Sequence, residues 1–573
     1  MKDGQILNQP QGNEADRLDR AVRSEIATLT RGINPTGLAV VSLDWMQRLA
    51  LSPGKQAELW LESVRHTTRL MAGALGAETG VAADRRFASE GWDAPPFRLV
   101  RDAFLASEGW WMQATSGLSG TTPQNEAALQ FALRQTFDAM APSNFPHLNP
   151  DVLSRARETN GESLVRGWMH LIEDVVASAR GAAPENPKFR IGTTLAATPG
   201  KVVARTRLAE LIQYSPTTTD VYPEPILIVP AWIMKYYILD LSAHNSMVAW
   251  LVGQGFTVFM ISWLNPGSDE RDLGMADYLE QGPMAALAAI QAITGASHVH
   301  GVGYCLGGTL LSIAAAEMAR DGDLRLASMT LLAAQTDFSE AGDLSLFVSE
   351  AQVSQLEDLM WKPGYLDGAQ MAQAFTLMHS NDLVWSKVIH EYLMGDRPEP
   401  NDMMVWNANT TRMPYRMHSE YLRGMFLNNL LATGKYEVDG RKVSLTDLRL
   451  PILAVGTETD HVAPWRSVFK IHRLSDAETT FVLTSGGHNA GIVSEPGHRH
   501  RHYRIATKAR DDHYCDPETW VQRTAPVEGS WWPAWASWLA TRSGARQLPP
   551  PTGSSPAGFP PLCDAPGTYV FQR

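Results

Sequence analysis

The sequence predicts an α/β fold: a mostly parallel sheet buried on both faces, interrupted by an inserted cap and preceded by a mainly helical N-terminal domain. Three observations point there. From about residue 186, apolar runs of strand length alternate with helical segments; more than 100 residues separate the fourth run from the fifth; and the stretch before residue 186 is rich in helix formers.

The runs are Ile226 to Trp232, Thr257 to Trp263, His298 to Tyr304, Met329 to Ala334, Ile452 to Gly456 and Thr480 to Thr484, with helical candidates such as Met284 to Thr294 and Leu306 to Arg320 between them. Continuous apolar runs, as opposed to alternating ones, belong to strands covered by helices on both faces, which is the parallel βαβ arrangement. Asn186-Pro187 and Thr198-Pro199-Gly200 mark where this rhythm begins. Upstream, segments such as Ala127-Ala128-Leu129-Gln130-Phe131-Ala132-Leu133-Arg134 read as helix. The expected division is a polar tail over 1–20, a helical domain over 21–185, an α/β domain over 186–548 and a Pro/Gly-rich C-terminal arm over 549–573. Residues 335–449 are too many for a structureless loop in a compact domain, so they read as a cap.

Composition narrows the functional classes. With 44% hydrophobic and 19% charged residues the chain can bury a large core. A net charge of −12 argues against a nucleic-acid surface, which needs clustered Lys and Arg. No apolar window approaches about 18 residues, so no transmembrane segment is expected. The start Met1-Lys2-Asp3-Gly4 continues polar, unlike a secretory signal, and a cytoplasmic location is expected. The three cysteines, Cys305, Cys515 and Cys563, form no CxxC pair, and no GxGxxG follows a strand. Neither a disulfide framework nor a metal or organic cofactor is expected. Most of the 18 tryptophans are expected in the core, with some lining an apolar channel or facing a hydrophobic partner.

The strongest local signal is Gly303-Tyr304-Cys305-Leu306-Gly307-Gly308, which follows an apolar run and precedes a helical segment. It fits the nucleophile elbow, the strand-to-helix turn that gives the α/β-hydrolase fold its name-giving chemistry, with Cys in the Ser position. Glycines flank such a turn because larger neighbours would clash, and the helix N-terminus favours a thiolate. The bland alternative is that Cys305 is a small core residue. Partners in the expected order tip the balance. Asp460 follows the run Ile452 to Gly456, and His488 follows Thr480 to Thr484, so both stand where open α/β sheets place their sites. Glu458 is an alternative acid and His461 a competing histidine beside it. His488 would take the thiol proton while Asp460 holds its tautomer. The oxyanion would be met by the N–H of Leu306 and by one from the loop around Trp232 and Ile233. A cysteine nucleophile receiving an acyl group from a thioester keeps the bond activated for a second transfer, which favours acyl transfer over ester hydrolysis.

Further segments resemble those of polyhydroxyalkanoate synthases and span roughly residues 90 to 570. They include Asp138-Ala139-Met140-Ala141-Pro142-Ser143-Asn144-Phe145, Gly161-Glu162-Ser163-Leu164, Thr198-Pro199-Gly200-Lys201-Val202-Val203 and Lys235-Tyr236-Tyr237-Ile238-Leu239-Asp240-Leu241. Asn381-Asp382-Leu383-Val384-Trp385, Gly487-His488-Asn489-Ala490-Gly491 and Gly529-Ser530-Trp531-Trp532-Pro533 continue the series. The family's nucleophile, acid and histidine fall on Cys305, Asp460 and His488. The resemblance, to the single-subunit members, implies addition of 3-hydroxyacyl units from CoA thioesters to a growing polyester, release of CoA, a homodimer and residence at polyester granules. The box around Cys305 looks more like that of members acting on short-chain substrates such as 3-hydroxybutyryl-CoA. Met234, His379 and Asn409 depart from the family pattern, where Asn, Arg and an acidic residue are usual. Two other readings stand beside this one: a thioesterase or depolymerase using the same residues with water, and a non-catalytic granule-binding protein.

Overall fold

The structure, a computed structural model, describes residues 14–30, 35–76, 84–179, 188–378 and 384–573. It divides into two compact units. One comprises Met1–Gly32, Asn186–Gln370 and Asn401–Arg573, and the other Ile33–Glu185 and Met371–Pro400. This differs from the linear division above at two places: the helix Glu14–Leu29 groups with the sheet, and part of the expected cap groups with the N-terminal helices. Residues 1–13 of the expected tail lie outside the described residues, as do His379 and Asn381-Asp382-Leu383.

The first unit is built on an 11-stranded sheet. In chain order its strands are β1 (Gly200–Arg205), β2 (Ala209–Tyr214), β3 (Ile226–Val229), β4 (Val258–Trp263), β5 (Val299–Tyr304), β6 (Leu326–Leu332), β7 (Ile452–Thr457), β8 (Thr479–Thr484), β9 (His502–Lys508), β10 (Val527–Glu528) and β11 (Cys563–Asp564). Their spatial order is β10-β9-β8-β7-β6-β5-β3-β4-β2-β1-β11. Strands β3 to β8 pair in parallel, and β1, β2, β9, β10 and β11 are antiparallel additions at the two edges.

The six apolar runs are β3 to β8 with shifted ends, and the shifts have local causes. The first run stops at Val229 because Pro230 has no N–H for the ladder. The fourth ends at Leu332, before Ala333 turns to a φ of 46°. The helical candidate at Met284 begins as a π-turn over Glu280–Met284 and continues as the helix Ala285–Thr294, closed by Gly295 in the left-handed region. The other is the helix Leu306–Asp321, closed by Gly322 in the same way.

The antiparallel strands β1 and β2 escape a reading based on apolar runs because charged and polar residues interrupt them. Glu210, fully buried in β2, accepts from Arg205 at 2.6 Å, from the N–H of Thr568 at 2.8 Å and from that of Tyr569 at 3.0 Å. Its charge is thus paired and solvated by the C-terminal arm, as a buried carboxylate requires. The same arm contributes β11 alongside β1 and exchanges hydrogen bonds with Gln213 through Pro551 and Gly553. It is an ordered cover for a sheet edge.

Three histidines of this unit, His300, His418 and His472, are buried, and burial holds each imidazole down to about 4. Between the ordinary histidine value and 4, the unfolded chain binds protons that the folded chain refuses, so stability falls as pH falls through that window. The melting temperature is therefore expected to drop on the order of 10 °C from pH 7 to pH 5. Calorimetry at the two pH values checks this, and an unchanged melting temperature would contradict it.

The second unit is helical. It contains Pro35–Ala50, Pro53–Ala74, Phe97–Ala114, Pro123–Met140, Pro150–Glu158 and Glu162–Ala179. Arg86 is its electrostatic centre, bonded to Asp84 at 2.8 Å, Glu108 at 2.5 Å and Asp138 at 3.1 Å. The segment beginning at Asp138 has a local logic: the Asn144 amide donates to the Asp138 carbonyl at 2.7 Å, closing the turn after the helix. The piece from 371–400 joins this unit through Asp174, which accepts from Lys387 and Tyr392 at 2.7 Å and from Arg397 at 2.9 Å. Among the described residues no helix is long and apolar enough to cross a membrane.

Candidate active site

Strand β5 runs directly into the helix Leu306–Asp321 through a single residue, Cys305, whose φ of 52° and ψ of −124° are outside the ordinary regions for a non-glycine residue. Such strain persists only where the surroundings impose it. Here the Cys305 N–H is held by the Leu332 carbonyl at 2.9 Å, and its own carbonyl accepts from Gly308 at 2.9 Å.

The glycines follow from close approach. A Cβ on Gly303 would lie 2.3 Å from the Gly308 Cα, and one on Gly307 would lie 2.0 Å from the Val229 carbonyl oxygen and 2.6 Å from that of Pro230. The helix start is therefore pressed against the end of β3.

Asp460 follows β7, and His488 follows β8. The His488 Nδ1 and Asp460 Oδ2 are 2.8 Å apart. Oδ2 also accepts from the Thr457 hydroxyl at 3.1 Å, while Oδ1 accepts from the N–H groups of Val462 at 2.9 Å and Ala463 at 2.8 Å. Burial alone would push the Asp460 carboxyl up. The His488 charge and hydrogen bond, with the two backbone N–H groups, outweigh burial and hold it below the usual range. Burial likewise pushes the His488 imidazole down, but the charges of Asp460 and Cys305, with the hydrogen bond to Asp460, lift it well above its ordinary value. The structure thus brings Cys305, His488 and Asp460 together, with His488 hydrogen-bonded to Asp460 and close enough to Cys305 to feel its charge.

Of the competitors, Glu458 faces away: its carboxylate meets His502 Nε2 at 3.1 Å. His461 is exposed, and its carbonyl accepts from the N–H of Asp343 at 3.4 Å. Leu306 occupies the first helical position after Cys305, where its N–H has no partner within the helix. Trp232 and Ile233 stand in the loop after β3, their carbonyls turned to the hydroxyl and N–H of Thr411 respectively.

An aromatic wall stands beside the thiol. Tyr421 is buried, and its hydroxyl is raised well above its ordinary value by burial and by the charge of Cys305. Its ring meets Trp232 and Phe338, each at 6.1 Å, and Trp232 in turn meets Tyr278 at 5.6 Å. Such a wall limits the access of water to the sulfur beside it.

Two sets of contacts without a role in the sequence pattern support the histidine loop. The indole N–H groups of Trp531 and Trp532 donate to the carbonyls of Gly491 at 3.0 Å and Ile492 at 2.9 Å, and the Ser530 hydroxyl donates to Ser494. The run Gly529 to Pro533 is the back wall of the loop that carries His488. Asn489, next to His488, accepts from the Tyr304 hydroxyl at 2.5 Å. Neither contact has a signal in the sequence, because its members lie 36 to 185 residues apart.

Sheet, elbow and loop placement define an α/β-hydrolase fold, and the model described as "alpha/beta hydrolase fold" matches residues 224–495. Two further family models match upstream, "Poly-beta-hydroxybutyrate polymerase (PhaC) N-terminus" over residues 83–251 and "Poly-beta-hydroxybutyrate polymerase N terminal" over residues 13–55. Similar chains include a poly(3-hydroxyalkanoate) polymerase subunit of Rhizobium etli, 34% identical across 100% of this chain and 93% of its own. A poly(3-hydroxyalkanoate) polymerase of Methylorubrum extorquens is 40% identical over 86% of this chain and 81% of its own. A polymerase subunit of Cupriavidus necator is 32% identical over 97% of this chain and 95% of its own. The chain belongs to the poly(3-hydroxyalkanoate) polymerase family, and it is an enzyme of the acyltransferase class.

Proposed function

We propose that the protein polymerises 3-hydroxyacyl-CoA thioesters, of short chain such as 3-hydroxybutyryl-CoA, into a polyester with release of CoA, using Cys305, His488 and Asp460. The observation that carries this reading is a thiol at the strained elbow whose charge acts on a histidine that is itself fixed at Nδ1 by a buried carboxylate.

In the first step His488 takes the thiol proton, and the Cys305 sulfur attacks the thioester carbonyl. The C–S bond to CoA breaks, the proton passes to the CoA sulfur and the acyl group remains on Cys305. In the second, His488 removes the proton from the hydroxyl of another hydroxyacyl unit, whose oxygen attacks the waiting thioester; the ester bond forms as the C–S bond to Cys305 breaks, and the proton passes from His488 back to the Cys305 sulfur. Asp460 stabilises the imidazolium in both steps. The N–H of Leu306 and one from the Trp232–Ile233 loop receive the developing oxyanion. No cofactor takes part. Water would hydrolyse the acyl-enzyme, which gives the aromatic wall and the inserted segment 335–449 their place in the reading. A homodimer acting in the cytoplasm at the surface of its polyester product completes it.

The test is incubation of the purified protein with 3-hydroxybutyryl-CoA, following free CoA with a thiol reagent and insoluble polyester by chromatography after methanolysis. CoA release with polymer is expected. CoA release without polymer would replace the synthase by a hydrolase, and neither product would end the short-chain assignment.

A further inference from the structure

We infer that Tyr304 is a positioning residue for His488, acting through Asn489. This rests on the reading of Cys305 and His488 given above.

Tyr304 ends β5 and immediately precedes Cys305; Asn489 immediately follows His488 in the loop after β8. Strands β6 and β7 lie between β5 and β8, so the two loop origins are about 14 Å apart at ~4.8 Å per strand spacing. Something must hold the histidine loop inward over that gap. The bond to Asp460 fixes one edge of the imidazole, but a ring held at a single nitrogen can pivot about that bond.

The Tyr304 hydroxyl supplies a second tie, donating to Asn489 Oδ1 at 2.5 Å, and the Tyr304 ring lies 5.7 Å from the His488 ring at 38°. Inside the loop the Asn489 backbone carbonyl is already used, accepting from Ile492 and Val493 at 3.1 and 2.9 Å. Its side chain is left for the tyrosine. Tyr304 is buried, and burial together with the charges of Cys305 and Asp460 keeps its hydroxyl protonated far above the ordinary range. The residue is therefore a permanent donor and takes no part as an acid. Trp531 and Trp532 hold the far side of the same loop, so His488 is clamped between a rigid back wall and the residue next to its own nucleophile.

The test uses the full-length protein carrying Tyr304→Phe, Asn489→Leu or both, with CoA release measured from pH 5 to 9 and melting temperature recorded alongside. Either single change is expected to lower kcat about tenfold with KM within twofold, and the double variant to fall no further than the singles, because both remove one contact. The acid limb of the pH profile should move to lower pH, since a loosened imidazole loses part of the Asp460 charge that lifts it. Independent, multiplying losses, an effect confined to KM or to melting temperature, wild-type rates, or failure of both single variants to fold would each overturn the inference. Undiminished CoA release by Cys305→Ala would instead overturn the reading on which it rests, whatever Tyr304→Phe does.

Discussion

Replacing Cys305 by alanine is expected to stop CoA release and polymer formation together, a loss of about 10⁶-fold, on the scale of removing the nucleophile from a preorganised site. The fold should survive. The strained φ of 52° is imposed by hydrogen bonds of the backbone at Cys305, and alanine tolerates that conformation no worse than cysteine. Neither remaining cysteine replaces the lost thiol. Cys563 sits on the edge strand β11 near Arg205, and the Cys515 sulfur donates to the backbone carbonyl of Asp516. Steady-state CoA release, with mass spectrometry of the acylated peptide from the native protein, reads the effect. Residual turnover within a few hundredfold of wild type would mean that the acyl group reaches another acceptor.

Asp460→Asn should cost about 10⁴-fold in kcat with little change in KM, the loss seen when the orienting acid of a triad is made neutral. Four donors converge on this carboxylate: the Thr457 hydroxyl, two backbone N–H groups and His488. An amide offers them one oxygen and an NH2 group. Whichever way it turns, a donor faces a donor or His488 is pushed into the tautomer that cannot accept the thiol proton. The pH behaviour follows from the same geometry. Asp460 is depressed, so its contribution to stability is present above the unfolded carboxylate value and is lost as pH falls through the folded one. His488 is elevated, so its contribution is complete below the unfolded histidine value and is lost as pH rises through the folded one. The pair is firmest between those limits, and the variant should lose that plateau in a plot of melting temperature against pH. A variant retaining a tenth of wild-type kcat would show that Asp460 is not the orienting acid.

Much of the sheet was legible because β3 to β8 are buried on both faces and their residues read as unbroken apolar runs. The elbow was legible for a different reason: Gly303, Gly307 and Gly308 are each forced by a neighbour closer than any side chain permits, so the geometry leaves its imprint in adjacent positions. What escaped was carried by long-range polar contacts. Glu210 and Arg205 break the apolar pattern of β1 and β2, and only the distant Thr568 and Tyr569 explain why a charge can lie there. The grouping of 371–400 with the helical unit escaped as well, since Asp174 and its partners are more than 200 residues apart. For the same reason Asn489 reads in sequence as a polar neighbour of His488, and its tie to Tyr304 becomes visible only when β5 and β8 share a sheet.

That interleaving has a consequence for how the chain is made. The helical unit begins at Ile33 but contains Met371–Pro400, so at 5–20 residues per second roughly 10–40 s pass between synthesis of Glu185 and of its closing segment. Until then Asp174 lacks Lys387, Tyr392 and Arg397, and the helix that carries it waits unfinished. The sheet unit is in the mirror position, since β1 emerges early and its edge partner β11 emerges last. A nascent chain of this protein therefore carries two incomplete units at once, and neither closes before most of the other has left the ribosome.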